Sequence, residues 1–373
     1  MDFSKTETQQ AVSGLARKIF KDKLSDQRHK ELAAADATLD DRLWKDLATS
    51  GLLGTAIADA HGGSAHGMLE LCSLMIEAGG AAAPVPLWPT VCVGALAVAE
   101  FGSNAQNRAL LDGVVTGKTM LSAAFLEPGA PDPMRPRTRA RRADDGTWRL
   151  DGHKTCVPYA AVCERVLVPA LGDDDALGVF LIDPQANGVT LRAQTATGGE
   201  PQADMELADV VAEPLGAPTG GRAVLDWLLP RATVTLCAAH FGVARYMLRT
   251  TAKYTSERKQ FDRPIGTFQA VSQRAADAYI DVETIGLALW EAAWRLAEGL
   301  PADDAVDMAK FWAAEAGHRV AYAAQHLHGG IGFDLDYPLA RYYMLSKQLE
   351  LTLGSATVHL QRIGQRLAAP AAE

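Results

Sequence analysis

Two long stretches of this chain contain no acidic residue. None occurs from Trp227 to Ser256, and none from Leu351 to Ala372. Elsewhere acids are plentiful, with 45 Asp and Glu against 36 Lys and Arg and a net charge of −9. Those two stretches therefore bring neither a carboxylate base nor a carboxylate metal ligand. The acidic balance argues against nucleic acid as a partner, because phosphate binding needs a basic surface. Long uninterrupted apolar runs are missing as well. The most apolar stretch, Ala81 to Ala99, contains Pro84, Pro86, Pro89 and Thr90. It reads as a loop leading into a buried helix, not as a membrane span. The opening "MDFSKTETQQ" has no apolar signal core behind positive charges. Cysteine is scarce: Cys72, Cys92, Cys156, Cys163 and Cys237 are odd in number and lack metal-type spacing. They are expected to be reduced core residues of a cytoplasmic protein. His326 and His328 stand two apart, so on a helix they point apart, and no metal site is expected.

What remains is a soluble globular composition, 48% hydrophobic and 22% charged over 373 residues. Residues 1–118 carry apolar positions at three- and four-residue spacing in "QAVSGLARKIFKDKL", "DRLWKDLATSGLLG" and "MLELCSLMIEAGG", and read as helical. The last of these is expected to end on its glycines. Residues 119–218 change to short segments rich in Val, Leu and Ile, separated by Gly, Asp and Pro, as in "ERVLVPAL" and "ALGVFLIDP". They predict a run of strands with turns. Residues 219–373 return to long helical periodicity over Asp226–Tyr254, Thr267–Glu298, Asp303–His328 and Leu335–Leu353, with a last helix after Ser355. Gly354 and Ser355 are expected to supply a break and a capping hydroxyl for that helix. The fold class is thus α+β, with an N-terminal helical domain, a middle β-barrel or sandwich, and a C-terminal four-helix bundle.

Two motifs stand out. "ERKQFDRPIGTFQ", Glu257 to Gln269, places Arg258 two residues before Gln260 and three before Phe261. A guanidinium suits a diphosphate because its planar fork donates several charged hydrogen bonds. "QHLHGGIGF", Gln325 to Phe333, sets Gln325 one helical turn before Gly329 and Gly330, where backbone can approach a ligand closely. Each motif alone also reads as a solvated basic helix end or a plain helix C-cap.

In this order and spacing the chain resembles the acyl-CoA dehydrogenases, flavoproteins that oxidise the Cα–Cβ bond of a CoA thioester. The resemblance covers nearly the whole chain. It implies FAD as cofactor, with Arg258, Gln260, Phe261, Phe268, Gln325, Gly329 and Gly330 contacting the diphosphate and adenine of a flavin held by a neighbouring subunit. One departure is Asp262, where the family usually has Gly; an acid near a diphosphate is expected to turn away, toward Arg263.

The parts that the family uses for its own flavin ring are altered. "FLEPGAPDP", Phe125 to Pro133, has Leu126 where the family has Thr, and Ala130-Pro131 where it has Gly-Ser. "DGHKTCVPYA" places Cys156 and Pro158 where Trp and Thr stand beside the flavin. Proline has neither an N–H nor a hydroxyl to replace that contact. The base is also missing. Aligned on Gly354 its position holds Leu353, and aligned on Gln361-Arg362 it holds Ser355. Glu350 is the nearest acid and lies outside the motif. The alternative family location, on the long helix, falls at about Ala232. No catalytic residue is therefore assigned to this chain.

The pattern resembles the non-basic subunit of heteromeric actinobacterial steroid-type acyl-CoA dehydrogenases. It implies an α2β2 assembly in which an acyl-CoA dehydrogenase-like partner supplies the base, the ring site and most of the acyl-CoA pocket. An electron-transfer flavoprotein is the implied acceptor. Two other readings stay open: a homo-oligomeric flavin-dependent oxidase or monooxygenase on the same fold, and a non-catalytic assembly protein.

Overall fold

A computed structural model describes residues 4–369 except 36, 38 and 173. The helices are α1 (Glu7–Lys23), α2 (Asp26–Ala34), α3 (Asp41–Thr49), α4 (Met68–Gly80), α5 (Leu96–Phe101) and α6 (Asn104–Val115). Seven strands follow: β1 (Leu121–Ala123), β2 (Arg139–Arg142), β3 (Trp148–Pro158), β4 (Arg165–Leu171), β5 (Leu177–Ile182), β6 (Val189–Thr195) and β7 (Pro201–Pro214). Then come α7 (Gly221–Glu257), a hairpin of β8 (Lys259–Gln260) and β9 (Arg263–Pro264), α8 (Gln269–Ala297), α9 (Asp303–His328), α10 (Leu339–Leu351) and α11 (Ala356–Ala368). The order of helices, strands and helices agrees with the sequence reading. The arginine-rich strand β2 and the two-residue strands β8 and β9 carry no apolar alternation, and the sequence pattern did not reveal them.

Local chemistry sets several boundaries. Thr6 caps α1 and Ser103 caps α6, each in a reciprocal box with a Gln three residues on. Ser355 stands at the N-cap of α11 with extended backbone, yet its hydroxyl makes no capping bond. The expected hydroxyl cap is therefore absent. The residues before Leu339 form turns, so α10 starts four residues later than its periodicity suggested.

The chain divides into two compact units. The first contains the chain up to Ala37, Met68–Ala83 and everything from Thr233 on. It is helical, with α9 packed on α8, α10 and α11 and α1 packed on α4. Glu77 of α4 is buried and accepts from Ser13 Oγ at 2.9 Å and from the Arg17 guanidinium at 2.8 Å. Burial alone would raise its pKa, but these bonds and the Arg17 and Arg245 charges leave it below the usual carboxylate value. Gly79, in the last turn of α4, is a packing residue more than a helix stop. A Cβ there would lie 2.0 Å from the Ala239 carbonyl oxygen of α7.

The second unit contains residues 38–67 and Pro84–Ala232. Its strands pair around a closed path β4–β2–β3–β7–β5–β4, with β1 added to β4 and β6 added to β7. β4 and β5 are buried on both faces, which is why "RVLVPAL" and "LGVFLI" read as continuous apolar runs. Leu150, Val157, Val168, Phe180, Met205 and Val210 fill the interior.

One ion pair lies inside this unit. Lys154 of β3 is fully buried and donates to Glu127 Oε1 at 2.6 Å and to the Pro169 carbonyl at 2.8 Å. Glu127 also accepts from the Thr138 hydroxyl at 2.6 Å and the Arg137 amide at 2.6 Å. Burial pushes Lys154 down to about 8, opposed by the carboxylate beside it. Removing one partner leaves a buried charge alone. Lys154→Ala should therefore lower stability by about 3–5 kcal/mol. The paired change Lys154→Met with Glu127→Gln should recover most of that loss. Urea midpoints check this; equal losses in the single and the paired variants would contradict it.

Candidate cofactor-binding site

The two motifs meet in the helical unit. α7 ends at Glu257, and the chain turns back through a two-residue hairpin loop, Phe261 and Asp262, both left-handed (φ +53° and +64°). Two successive positive φ values define a type I′ turn, whose second position favours Gly. Asp tolerates that conformation, so its presence costs little backbone energy. Asp262 makes no ion pair with Arg263 among the described residues. Arg263 lies instead over the Phe268 ring at 4.2 Å, and Phe261 meets the same ring edge-on at 6.1 Å. The expected turning of Asp262 toward Arg263 is thus replaced by this stack. Phe261 itself is 86% exposed.

Arg258 is held by its backbone. Its N–H donates to the Tyr254 carbonyl and its carbonyl accepts from Ile265 N–H, both at 2.8 Å. Its side chain is exposed, and among the described residues its guanidinium has no hydrogen bond or ion pair. Gln260 is exposed too and donates to the Lys259 carbonyl at 2.9 Å. One helical turn before Arg258, Tyr254 stacks on His328 at 4.4 Å. His328 directly precedes Gly329 and Gly330, both exposed, and a Cβ on either would meet nothing within 4 Å. Gln325 is half-buried one turn earlier on α9. The stack therefore joins the Arg258 segment to the Gln325–Gly330 segment. His326 instead lies on Tyr322 at the surface, so the two histidines face different surroundings. This edge has the donors and the open backbone that a diphosphate and adenine need.

The ring segments do not offer the same. The Thr155 N–H donates to the Leu126 carbonyl at 2.9 Å, and the Tyr159 N–H to the Pro201 carbonyl at 2.8 Å. The Cys156 N–H is taken by Gln194 Oε1 at 3.1 Å. Glu127 and Ala130 bond each other across a tight turn, at 3.3 and 3.0 Å. Pro158 has no N–H, and its carbonyl accepts from the Ser122 hydroxyl at 2.5 Å. These main-chain donors bond within the chain, and Leu126, Cys156 and Pro158 bring no hydroxyl to a flavin pyrimidine ring. The residues here do not fit the ring. Cys156, expected in the core, is exposed at φ +53°, while the other four cysteines are buried. Gln194 was not singled out in the sequence, because nothing in "GVTLRAQT" marks one polar strand residue over another.

No acid stands at either location for a base. Leu353 is partly buried at φ +58°, and Ala232 is fully buried with its carbonyl accepting from Trp88 Nε1 at 3.0 Å. Glu350 accepts from Lys347 Nζ at 2.5 Å, and its carbonyl takes a bond from the buried Lys310 at 3.0 Å. It is thus held in a charge pair on α10.

Residues 6–118 match the family description "Acyl-CoA dehydrogenase, N-terminal domain", and residues 219–368 match "Acyl-CoA dehydrogenase, C-terminal domain". Acyl-CoA dehydrogenase FadE27 of Mycobacterium tuberculosis is 38% identical, covering 99% of both chains. Among solved structures, a chain of the ChsE4-ChsE5 complex from Mycobacterium tuberculosis superposes with a TM-score of 0.93 at 38% identity, covering 100% of both chains. A chain of a Tcur3481-Tcur3483 steroid ACAD variant gives 0.90 at 42% identity, covering 97% of this chain and 98% of that one. The two matched domains and the full-length likeness establish that this chain belongs to the acyl-CoA dehydrogenases, a family of FAD-dependent oxidoreductases.

Proposed function

We propose that this chain is the flavin-completing subunit of a heteromeric acyl-CoA dehydrogenase. It lends Arg258, Gln260, Phe261, Phe268, Gln325, Gly329 and Gly330 to the diphosphate and adenine end of an FAD. The ring site, the catalytic carboxylate and most of the acyl-CoA pocket belong to an acyl-CoA dehydrogenase-like partner in an α2β2 assembly. When bound, FAD accepts the two electrons of α,β-dehydrogenation.

The observation that carries this reading is an asymmetry. The edge read as serving a neighbour's cofactor is exposed, and among the described residues its Arg258 guanidinium has no hydrogen bond or ion pair, whereas the Thr155, Cys156 and Tyr159 amides bond within the chain. Loss of function by drift would damage both sets. Likeness to chains of two-component assemblies supports the same reading, and one of those assemblies is described as a steroid enzyme. A CoA thioester of a steroid side chain is therefore the substrate class we favour, with an electron-transfer flavoprotein as acceptor and the cytoplasm as location. No helix among the described residues is long and apolar enough to cross a membrane. Domain limits at 118 and 218 are part of the same proposal.

The test is Arg258→Ala in the complex formed with its partner. A hydrogen bond to a charged group contributes about 1.5–3 kcal/mol, so FAD affinity should fall roughly ten- to hundredfold. Arg258→Lys should recover only part, since it keeps the charge and loses the fork. Excess FAD should restore activity in both variants. Unchanged FAD affinity, or a loss that saturating FAD does not reverse, would overturn the diphosphate role.

A further inference from the structure

The last helix is attached in an unusual way. Among the described residues of α11 only His359 is buried, while Val358, Leu360 and Leu367 are exposed. Most helices dock by burying an apolar stripe. This one docks by burying an imidazole.

His359 is fully buried between α9 and the turn before α11. Its Nδ1 lies 2.6 Å from Asp307 Oδ1, and its Nε2 lies 3.0 Å from the Leu353 carbonyl oxygen. A carbonyl only accepts, so Nε2–H donates to Leu353, while Nδ1 faces the Asp307 carboxylate at hydrogen-bond distance. Asp307 is ionised: burial would raise its pKa, but hydrogen bonds from His359 and Arg366 and their charges leave it below the usual value. Arg366 donates to Asp307 Oδ2 at 2.5 Å, to Asp304 Oδ1 at 2.7 Å and to the Asp303 carbonyl at 3.3 Å. Arg362 stands 3.9 Å from Asp307. The buried carboxylate is thus the hub for three side chains on α11, the His359 imidazole and the Arg362 and Arg366 guanidinium groups.

The carbonyl at the other end of the imidazole belongs to a strained residue. Leu353 has φ +58°, where a side chain with a Cβ costs roughly 1–2 kcal/mol. Gly354 follows at φ +106°, and a Cβ there would lie 3.0 Å from His359 Nε2. A strained backbone persists only where its surroundings hold it. Here the Leu353 carbonyl is held by His359.

We propose that Asp307 and His359 form a latch that holds Leu353 in its left-handed conformation and seats α11. The turn and the helix then open as one unit when the latch is broken. His359 is a positioning residue, and Asp307 acts through it. The proposal concerns the folding of this chain and stands apart from the assignment of its cofactor edge.

Hydrogen exchange read by mass spectrometry on the full-length protein tests it. His359→Gln and Asp307→Asn should each speed exchange across residues 352–369 by a factor on the order of ten to a hundred, since breaking a buried pair is costly. Exchange in the barrel strands β3 and β7 should stay unchanged. The two changes combined should do little more than either alone. Adding Leu353→Gly to His359→Gln should restore part of the protection, because glycine adopts this backbone without strain. A helix anchor that served only to fill space would not be rescued this way. Arg366→Gln, on the exposed arm of the network, provides a milder variant. It should speed exchange several-fold in the 352–355 turn as well as near residue 366. Wild-type protection in both latch variants, faster exchange on adding Leu353→Gly, or an Arg366→Gln effect confined to the C-terminal end would each overturn the proposal.

Discussion

The pairing of Lys154 with Glu127 is the constraint on which the middle of this protein depends. A fully buried ammonium must be matched in charge and in hydrogen bonds, and Glu127, with the Pro169 carbonyl, does both. The pair ties β3 to the turn that opens at Leu126, and that turn also accepts from the Thr155 amide. These are the two segments that the family uses around its flavin ring. The pair therefore preserves the framework of a ring site while saying nothing about flavin. That accounts for a puzzling mixture in the sequence: "LEP" keeps its acid and "GHK" its lysine, whereas the positions that would touch flavin have become Leu126, Cys156 and Pro158.

The free groups lie elsewhere. Around residues 155–159 the backbone donors point to Leu126, Gln194 and Pro201. Around Arg258 the backbone is satisfied by Tyr254 and Ile265, and among the described residues the guanidinium makes no hydrogen bond or ion pair. Hydrogen-bond accounting thus separates a segment whose amides bond within the chain from an exposed one with a guanidinium that could take a ligand. The stack of Tyr254 on His328 makes the second a single surface built from two distant motifs. Glu350, the acid nearest to the empty base position, follows the same accounting, because Lys347 neutralises it where it stands.

Much of this was legible in the sequence. The helical and strand regions, the two motifs around Arg258 and Gly329, and the lack of an acid at Leu353 and Ala232 all rest on residue identity and spacing, which a sequence displays directly. What escaped depends on side chains meeting across the fold. His359 looks like any polar position on a terminal helix until Asp307, 52 residues earlier, is found against it. Gln194 gains meaning only when β6 brings it to Cys156. The type I′ turn at Phe261 and Asp262 lacks the Asn-Gly signature that would announce it. Cys156 was misplaced because composition places cysteines in cores, while an irregular step in the β3–β7 register turns this one outward.

The central claim is that one flavin ring site serves two chains. The direct measurement is the amount of FAD bound by the purified complex of this chain with its partner, from flavin absorbance and intact-complex mass. The account predicts one FAD per pair of chains, and little or none bound when this chain is purified alone. Two FAD per pair, or a full equivalent on this chain by itself, would contradict it.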